Sequence, residues 1–271
     1  MKALVTGGSG MLGKEVVGLL QSLDIEHIAP SHQELDISDI KAIKICAESY
    51  RPSLIINCAG IVKQAVADFD RLTAVNSIGP IYLSIVADLF NARLVHISTD
   101  CVFSGRNGPY SEWDRCDAVD DYGLSKSVGE ITTGKHLTIR SSFIGFGKYG
   151  LLEWALKQTG IVKGYTNSYW NGLTSKEFAK HIVALSLIEE FTGIVHIGTQ
   201  HIISKAELLE IIQDVFGLDY KVEHVDAPLN MKGNKALCSC RLSMDLPSIE
   251  SMLYDIKYSR VERQVPVLHG A

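Results

Sequence analysis

The stretch Lys2-Ala3-Leu4-Val5-Thr6-Gly7-Gly8-Ser9-Gly10-Met11-Leu12-Gly13 decides how this chain is read. Lys2–Thr6 is an apolar run of strand length, and Met11–Gln21 carries apolar residues at helical spacing. Between them stand Gly7 and Gly10, with Gly13 one turn into the helix. Gly7 lets the chain turn tightly, Gly10 lets a pyrophosphate approach the backbone, and Gly13 lets helix and strand pack closely. A helix starting near Met11 aims unpaired N–H groups and its positive dipole end at phosphate. The unit predicts a nucleotide cofactor held by Gly7, Gly10 and Gly13.

Working outward, strand-like and helix-like segments alternate. Strands are expected at 27–29, Leu54–Asn57, Leu94–Ser98 and Leu137–Arg140, with helices at Ile40–Ser49, within Ala65–Phe90 and over Tyr122–Gly134. The second of these stretches holds one or two helices, with an irregularity expected at Gly79-Pro80. Continuous apolar strands between amphipathic helices require a parallel sheet covered on both faces. The predicted fold is therefore α/β, a Rossmann-type doubly wound parallel sheet with a smaller C-terminal α/β substrate lobe. Residues 1–144 form the expected dinucleotide-binding domain and 145–271 mainly the substrate lobe, with 175–197 free to rejoin the first sheet. Ser204 followed by Glu207 is a helix-capping signature.

The composition narrows the function classes. Hydrophobic residues make up 46% of 271 and charged residues 21%, an ordinary globular balance. The formal net charge of -5 offers no basic face for nucleic acid. No run of 18 uninterrupted apolar residues predicts a membrane span, and the N-terminus lacks a secretory signal. A cytoplasmic chain with its six cysteines as free thiols is expected, and a homodimer is compatible with the sequence. Cys238 and Cys240 are too close for the usual metal-binding pair, so no metal is expected.

The second strand runs into Pro30-Ser31-His32 rather than into the carboxylate that marks NAD sites. That removes a repulsion against a 2′-phosphate, and Ser31 and His32 could donate to it. NADP(H) is favoured on this ground, with NAD left open. Asp36 and Ile37 could border the adenine, although Asp36 could equally cap the helix at Ile40. Cys58, Ala59 and Gly60 end the third strand, where small residues let a cofactor lie against the backbone. Asn76 is a polar break in an apolar stripe and joins the candidate cofactor residues, although it could instead bond a local carbonyl.

Ser98-Thr99-Asp100 ends the next strand at the same expected edge, and Tyr122 and Lys126 stand one helical turn apart. An ammonium near a phenol favours its ionisation, and Thr99 could hydrogen-bond a substrate oxygen. Together they suit a carbonyl that accepts hydride and then a proton from Tyr122. Strand alternation sends Ser98 to the opposite face.

The strings HISTDCVFSG (His96–Gly105) and YGLSKSVGE (Tyr122–Glu130), with Thr6–Gly13, Leu35–Asp39, Ile56–Gly60 and Arg140–Gly145, resemble extended short-chain dehydrogenase/reductases. The resemblance is to the dTDP-4-dehydrorhamnose reductase family of sugar-nucleotide reductases and covers essentially the whole chain. It implies that Tyr122 is the general acid in reduction, and it adds Met11 and Leu12 to the cofactor contacts. Lys126 would hold the nicotinamide ribose and lower the tyrosine pKa, and Thr99 would orient a 4-keto oxygen. It further implies NADPH-dependent reduction of a nucleotide-linked 4-keto-6-deoxyhexose such as dTDP-4-dehydrorhamnose.

Two stretches depart from the family pattern, Gly60–Gln64 and Lys163–Gly172. A UDP-linked N-acetyl-4-keto-6-deoxyhexose, acted on by a reductase or epimerase, is therefore an alternative substrate. A non-catalytic NADP-binding regulatory protein is a second alternative, since the family includes one such subunit. For the substrate, Val102 and Phe103 are read as packing on the sugar, although Phe103 could equally be core. Tyr165, Tyr169, Trp170 and Asn171 are read as an aromatic–amide cluster for the base. Arg140 could reach a diphosphate or form an internal salt bridge.

Overall fold

The computed structural model describes residues 1–62, 65 and 68–264. Lys63 and Gln64, part of the departing loop after the third strand, lie outside the described residues. The chain begins β1 (Lys2–Thr6), α1 (Met11–Ser22), β2 (Glu26–Ile28), α2 (Ile40–Tyr50) and β3 (Leu54–Asn57). Next come α3 (Phe69–Thr73), a π-turn (Ala74–Ile78), α4 (Gly79–Leu89), β4 (Arg93–Thr99), a 3-10 turn (Asp100–Val102), α5 (Asp121–Val128) and β5 (Leu137–Ser141). The second half holds β6 (Phe143–Ile144), α6 (Leu151–Ala155), β7 (Gly160–Tyr165), β8 (Ser168–Trp170), β9 (Leu173–Thr174) and α7 (Ser175–Ser186). It closes with β10 (Gly193–His196), β11 (Ile203–Ser204), α8 (Lys205–Phe216), β12 (Tyr220–Val225), β13 (Gly233–Asn234) and α9 (Ile249–Gln264).

Six strands form one parallel sheet in the order β10-β5-β4-β3-β1-β2. Alternation along β1 divides the core. Ala3 and Val5 face α1 and α7, while Leu4 faces α2 and α4. Each fully buried Leu or Ile in these layers contributes roughly 1.5–3 kcal/mol over exposure. Helix α7 packs on α1, and β10 pairs with β5, so this part of the second half covers and extends the first sheet. The remaining lobe has its own core of Ile144, Leu152, Trp170, Leu208, Ile212 and Leu253, under the small sheet β11-β8-β13 and the pair β12-β7.

Gly79-Pro80 does not separate two helices. α3, the π-turn and α4 run on as one helix, Phe69–Leu89, long and apolar enough by composition to cross a membrane but half buried against the fold. Pro80 has no N–H to offer the Asn76 carbonyl four residues back, and the helix widens there. That carbonyl instead faces Gly129, where a Cβ would come within 2.0 Å of it. This docking limits α5, which ends at Val128 rather than reaching Gly134.

Candidate active site

Strand order reverses beside β1: β2 lies on one side and β3 on the other. Open α/β sheets bind ligands in the crevice outside the carboxyl ends at such a point. Gly7, Gly10 and Gly13 stand there, and Gly7 and Gly13 make the tight turn and the close helix–strand packing their spacing predicted. Gly7 has φ +71° and runs so close to β3 that a Cβ would lie 2.5 Å from the Ala59 nitrogen. At Gly13 a Cβ would meet the Gly7 oxygen at 2.1 Å. Gly10 is the N-cap of α1, donates its N–H to Gly7 O at 2.9 Å and brings no side chain to cap the helix. With no acidic residue in the first turn, the N–H groups there remain available to phosphate. This cradle fits a dinucleotide. The sequence reading missed the side chain of Met11, which lies beneath Gly145, Gly147 and Gly150 and ties the next loop to the cradle.

The region after β2 corrects one expectation. Ser31 is followed by a turn in which the Glu34 carboxylate accepts the Ser31 N–H at 2.7 Å. A carboxylate therefore stands where none was expected, and this bond holds its pKa below the usual range. Asp36 does not cap α2; Asp39 does, accepting the Lys41 N–H. Asp36 instead binds the N–H and hydroxyl of Ser38, at 2.9 and 2.7 Å, with the charges of Arg71 and His32 acting on it. Ile37 is buried against the start of α4 at Gly79, so its side chain is a packing residue.

After β3, Ala59 donates its N–H to Asn57 Oδ1 at 3.1 Å, and Gly60 faces both Asn76 and the Lys126 ammonium. Asn76 is wholly buried, and its amide is spent inside the fold. Its Oδ1 accepts from Ile61 N–H, while its Nδ2 donates to Ile61 O and Ser125 Oγ. It clamps the loop after β3 to α5, which corrects its reading as a direct cofactor contact.

The 3-10 turn at the end of β4 and the first turn of α5 meet through Gly123. A Cβ there would lie 2.2 Å from the Cys101 carbonyl, so only glycine brings α5 this close. Thr99 accepts the Cys101 N–H at 3.1 Å, donates to Asp100 at 3.0 Å and lies beside Tyr122. Burial, then the Cys101 and Asp100 charges, raise the Tyr122 pKa, while the Thr99 hydroxyl lowers it. Burial outweighs the Thr99 hydroxyl, and the phenol is held in its protonated form. Lys126 is 5% exposed, donates to Ile97 O at 2.7 Å and approaches His96 Nε2 at 3.5 Å. Burial brings its pKa down to about 8 against the opposing charges of Glu130 and Cys58.

On the substrate side the structure separates residues the sequence had grouped. Val102 and Phe103 are completely buried with Tyr110 and Leu237; Phe103 stacks on Tyr110 at 4.1 Å, leaving no side-chain surface for a sugar. Asn171 donates to the Thr199 and Leu237 carbonyls and accepts the Leu237 N–H, so its amide is consumed. Trp170 is 3% exposed, with its N–H on Ser142 Oγ at 2.7 Å. These four are framework residues. Tyr165 is half-buried and Tyr169 exposed, both on the small lobe. Arg140 forms the internal salt bridge, bidentate to Glu130 at 2.7 and 2.6 Å. Ser98 points the same way, onto Glu130 at 2.6 Å.

Two residues went unread. The Lys205 ammonium stands 5.0 Å from the Trp170 ring, within the fields of Asp100, Cys101 and Lys235. Lys235 lies against Gly105, just beyond the turn that follows Thr99. No local pattern marks either lysine, because their meeting depends on how α8 and β13 dock beside β4.

The chain matches the family described as RmlD substrate binding domain over residues 1–152. It is similar to the spore coat polysaccharide biosynthesis protein SpsK of Bacillus subtilis, 30% identical over 229 residues, 80% of each chain. It is also similar to a dTDP-4-dehydrorhamnose reductase of Aggregatibacter actinomycetemcomitans, 34% identical over 55% of this chain and 53% of that one. Among solved structures, a dTDP-4-dehydrorhamnose reductase of Bacillus anthracis in complex with NADP shares the fold, with TM-score 0.84 at 22% identity, over 95% of this chain and 99% of that one. The chain belongs to the dTDP-4-dehydrorhamnose reductase family, NAD(P)-dependent oxidoreductases that act on nucleotide-linked sugars.

Proposed function

We propose that this chain reduces the 4-keto group of a nucleotide-linked 4-keto-6-deoxyhexose, a dTDP-4-dehydrorhamnose-like substrate, with NADPH preferred over NADH. The observation that carries the reading is the meeting of Thr99, Tyr122 and Lys126 beside the glycine cradle at one sheet edge. Gly7, Gly10, Met11, Leu12 and Gly13 would hold the pyrophosphate, Cys58, Ala59 and Gly60 the nicotinamide half, and Lys126 its ribose. When bound, the cofactor supplies the hydride.

The chain's own residues supply the rest. Thr99 offers a hydroxyl to the substrate oxygen, and Tyr122, held protonated by burial, delivers a proton to the alkoxide as it forms. Lys205 and Lys235 bring two ammonium groups, neither hydrogen-bonded or ion-paired to a described residue, close to the turn that follows Thr99. That is the charge a substrate diphosphate requires. The preference for NADPH rests on Ser31 and His32, with Arg71 nearby, against the carboxylates of Glu34 and Asp36.

The test is to incubate the purified protein with NADPH and either dTDP- or UDP-linked 4-keto-6-deoxy sugars, following absorbance and product. Stoichiometric oxidation of NADPH with the dTDP-linked sugar is expected. Conversion without net oxidation would make the protein an epimerase, and cofactor binding with no conversion of either sugar would make it a binding protein.

A further inference from the structure

A buried polar chain behind the pocket is not used by the mechanism above. It runs from Thr6 through Asn57 and His96 to Lys126. Asn57 and His96 are both fully buried. Burial and the Lys126 charge hold the His96 pKa well below its ordinary value, so the ring is neutral and carries one N–H. Which nitrogen carries it follows from the neighbours. Asn57 Oδ1 faces the Ala59 backbone N–H at 3.1 Å and the Thr6 hydroxyl at 2.7 Å. A backbone N–H only donates, so this end of the amide is the oxygen and the other end is the NH2 group. That NH2 group meets His96 Nδ1 at 3.0 Å, so Nδ1 accepts and the hydrogen sits on Nε2.

Nε2 faces Lys126 Nζ at 3.5 Å. An ammonium has no lone pair, so in the charged state two donors confront each other in a buried space, one of them a cation. A neutral amine has a lone pair for the imidazole N–H and still donates to Ile97 O at 2.7 Å. We propose that His96, held by Asn57 as the Nε2–H tautomer, is a positioning residue that favours the uncharged amine of Lys126 and so makes its proton easy to give up. This rests on the catalytic reading of Lys126 above.

The other groups facing Lys126 act in the opposite direction. Glu130, following α5, and Cys58, following β3, both favour the ammonium, and Glu130 is itself tied to Arg140 on β5. His96 is the contact from β4. The consequence for turnover is a Lys126 that gives up its proton at a lower pH than an ordinary lysine, so the basic limb of the activity profile reports its titration.

Nitrogen-15 NMR of the histidine-labelled wild-type protein reads the tautomer directly, without any variant. Nε2 protonated and Nδ1 bare is expected for His96; the reverse assignment overturns the proposal. In His96→Leu the donor is gone, and the basic limb of the kcat/KM profile should move up by about one pH unit. A limb that stays in place overturns it as well. Lys126→Met separates this idea from the reading beneath it. If that variant turns over normally, the catalytic assignment of Lys126 fails, whatever the His96 tautomer. If turnover collapses while the His96→Leu limb stays in place, only the role of His96 fails.

Discussion

The glycine loop Gly7–Gly13 and the aromatic segment Tyr165–Asn171 were both read from sequence as ligand-facing, and in the fold the loop leaves its helix N–H groups uncapped while two of the segment's side chains are committed internally. In the loop the groups offered to a ligand are backbone N–H groups, and the side chains matter by being absent. In the aromatic segment the groups offered were side chains, and Trp170 and Asn171 spend theirs on Ser142, Thr199 and Leu237. A backbone site is specified by local conformation. A side-chain site depends on which neighbours reach it first.

The sharpest way to break this comparison is Tyr122→Phe. It should cut turnover by about 10²–10⁴-fold while leaving cofactor binding and melting temperature unchanged, as steady-state kinetics and cofactor titration would show. Cofactor binding lost along with turnover would mean that the two halves of the edge site are not separable. Asn171→Ala should do the reverse. Leaving two buried carbonyls and an N–H unpaired costs about 1–3 kcal/mol, visible in chemical denaturation, with KM unchanged. Tyr169→Ala, next to it but exposed, should leave stability nearly intact, so equal losses would contradict the framework role given to Asn171.

Lys205→Met sharpens the comparison from the other direction, since it tests whether the small lobe contributes charge rather than aromatic surface. KM for the nucleotide sugar should rise about tenfold, with NADPH affinity unaffected. An unchanged KM would remove the lysine from the substrate site. Glu34→Gln is expected to have the smallest effect, a shift of up to about fivefold toward NADPH over NADH in competitive binding. A shift toward NADH would mean that this carboxylate does not repel the 2′-phosphate.

Much of the edge site was legible because its parts are local. Strand, glycine spacing and helix follow within thirteen residues, and Tyr122 and Lys126 share a helix. Phe103, left between sugar and core, was undecided for the opposite reason. Its place in the core is set by Tyr110, Leu237 and the Arg140 guanidinium, which lies 5.1 Å from its ring and comes from a distant strand. Glu34 was overlooked because a carboxylate three residues beyond Ser31 reaches it only when the chain turns back.

The amino-acid sequence by itself determined the parallel α/β fold and the tight glycine loop, and it singled out Thr99, Tyr122 and Lys126 as candidates. Apolar periodicity and glycine conformational freedom act over a few residues and need no distant partner. Only the tertiary structure decided the work of the buried polar groups. Asn76 became a clamp, Arg140 an internal ion pair, and His96 a neighbour of Lys126. A buried donor or acceptor must find a partner, and its partners here come from strands, helices and loops far apart in the chain.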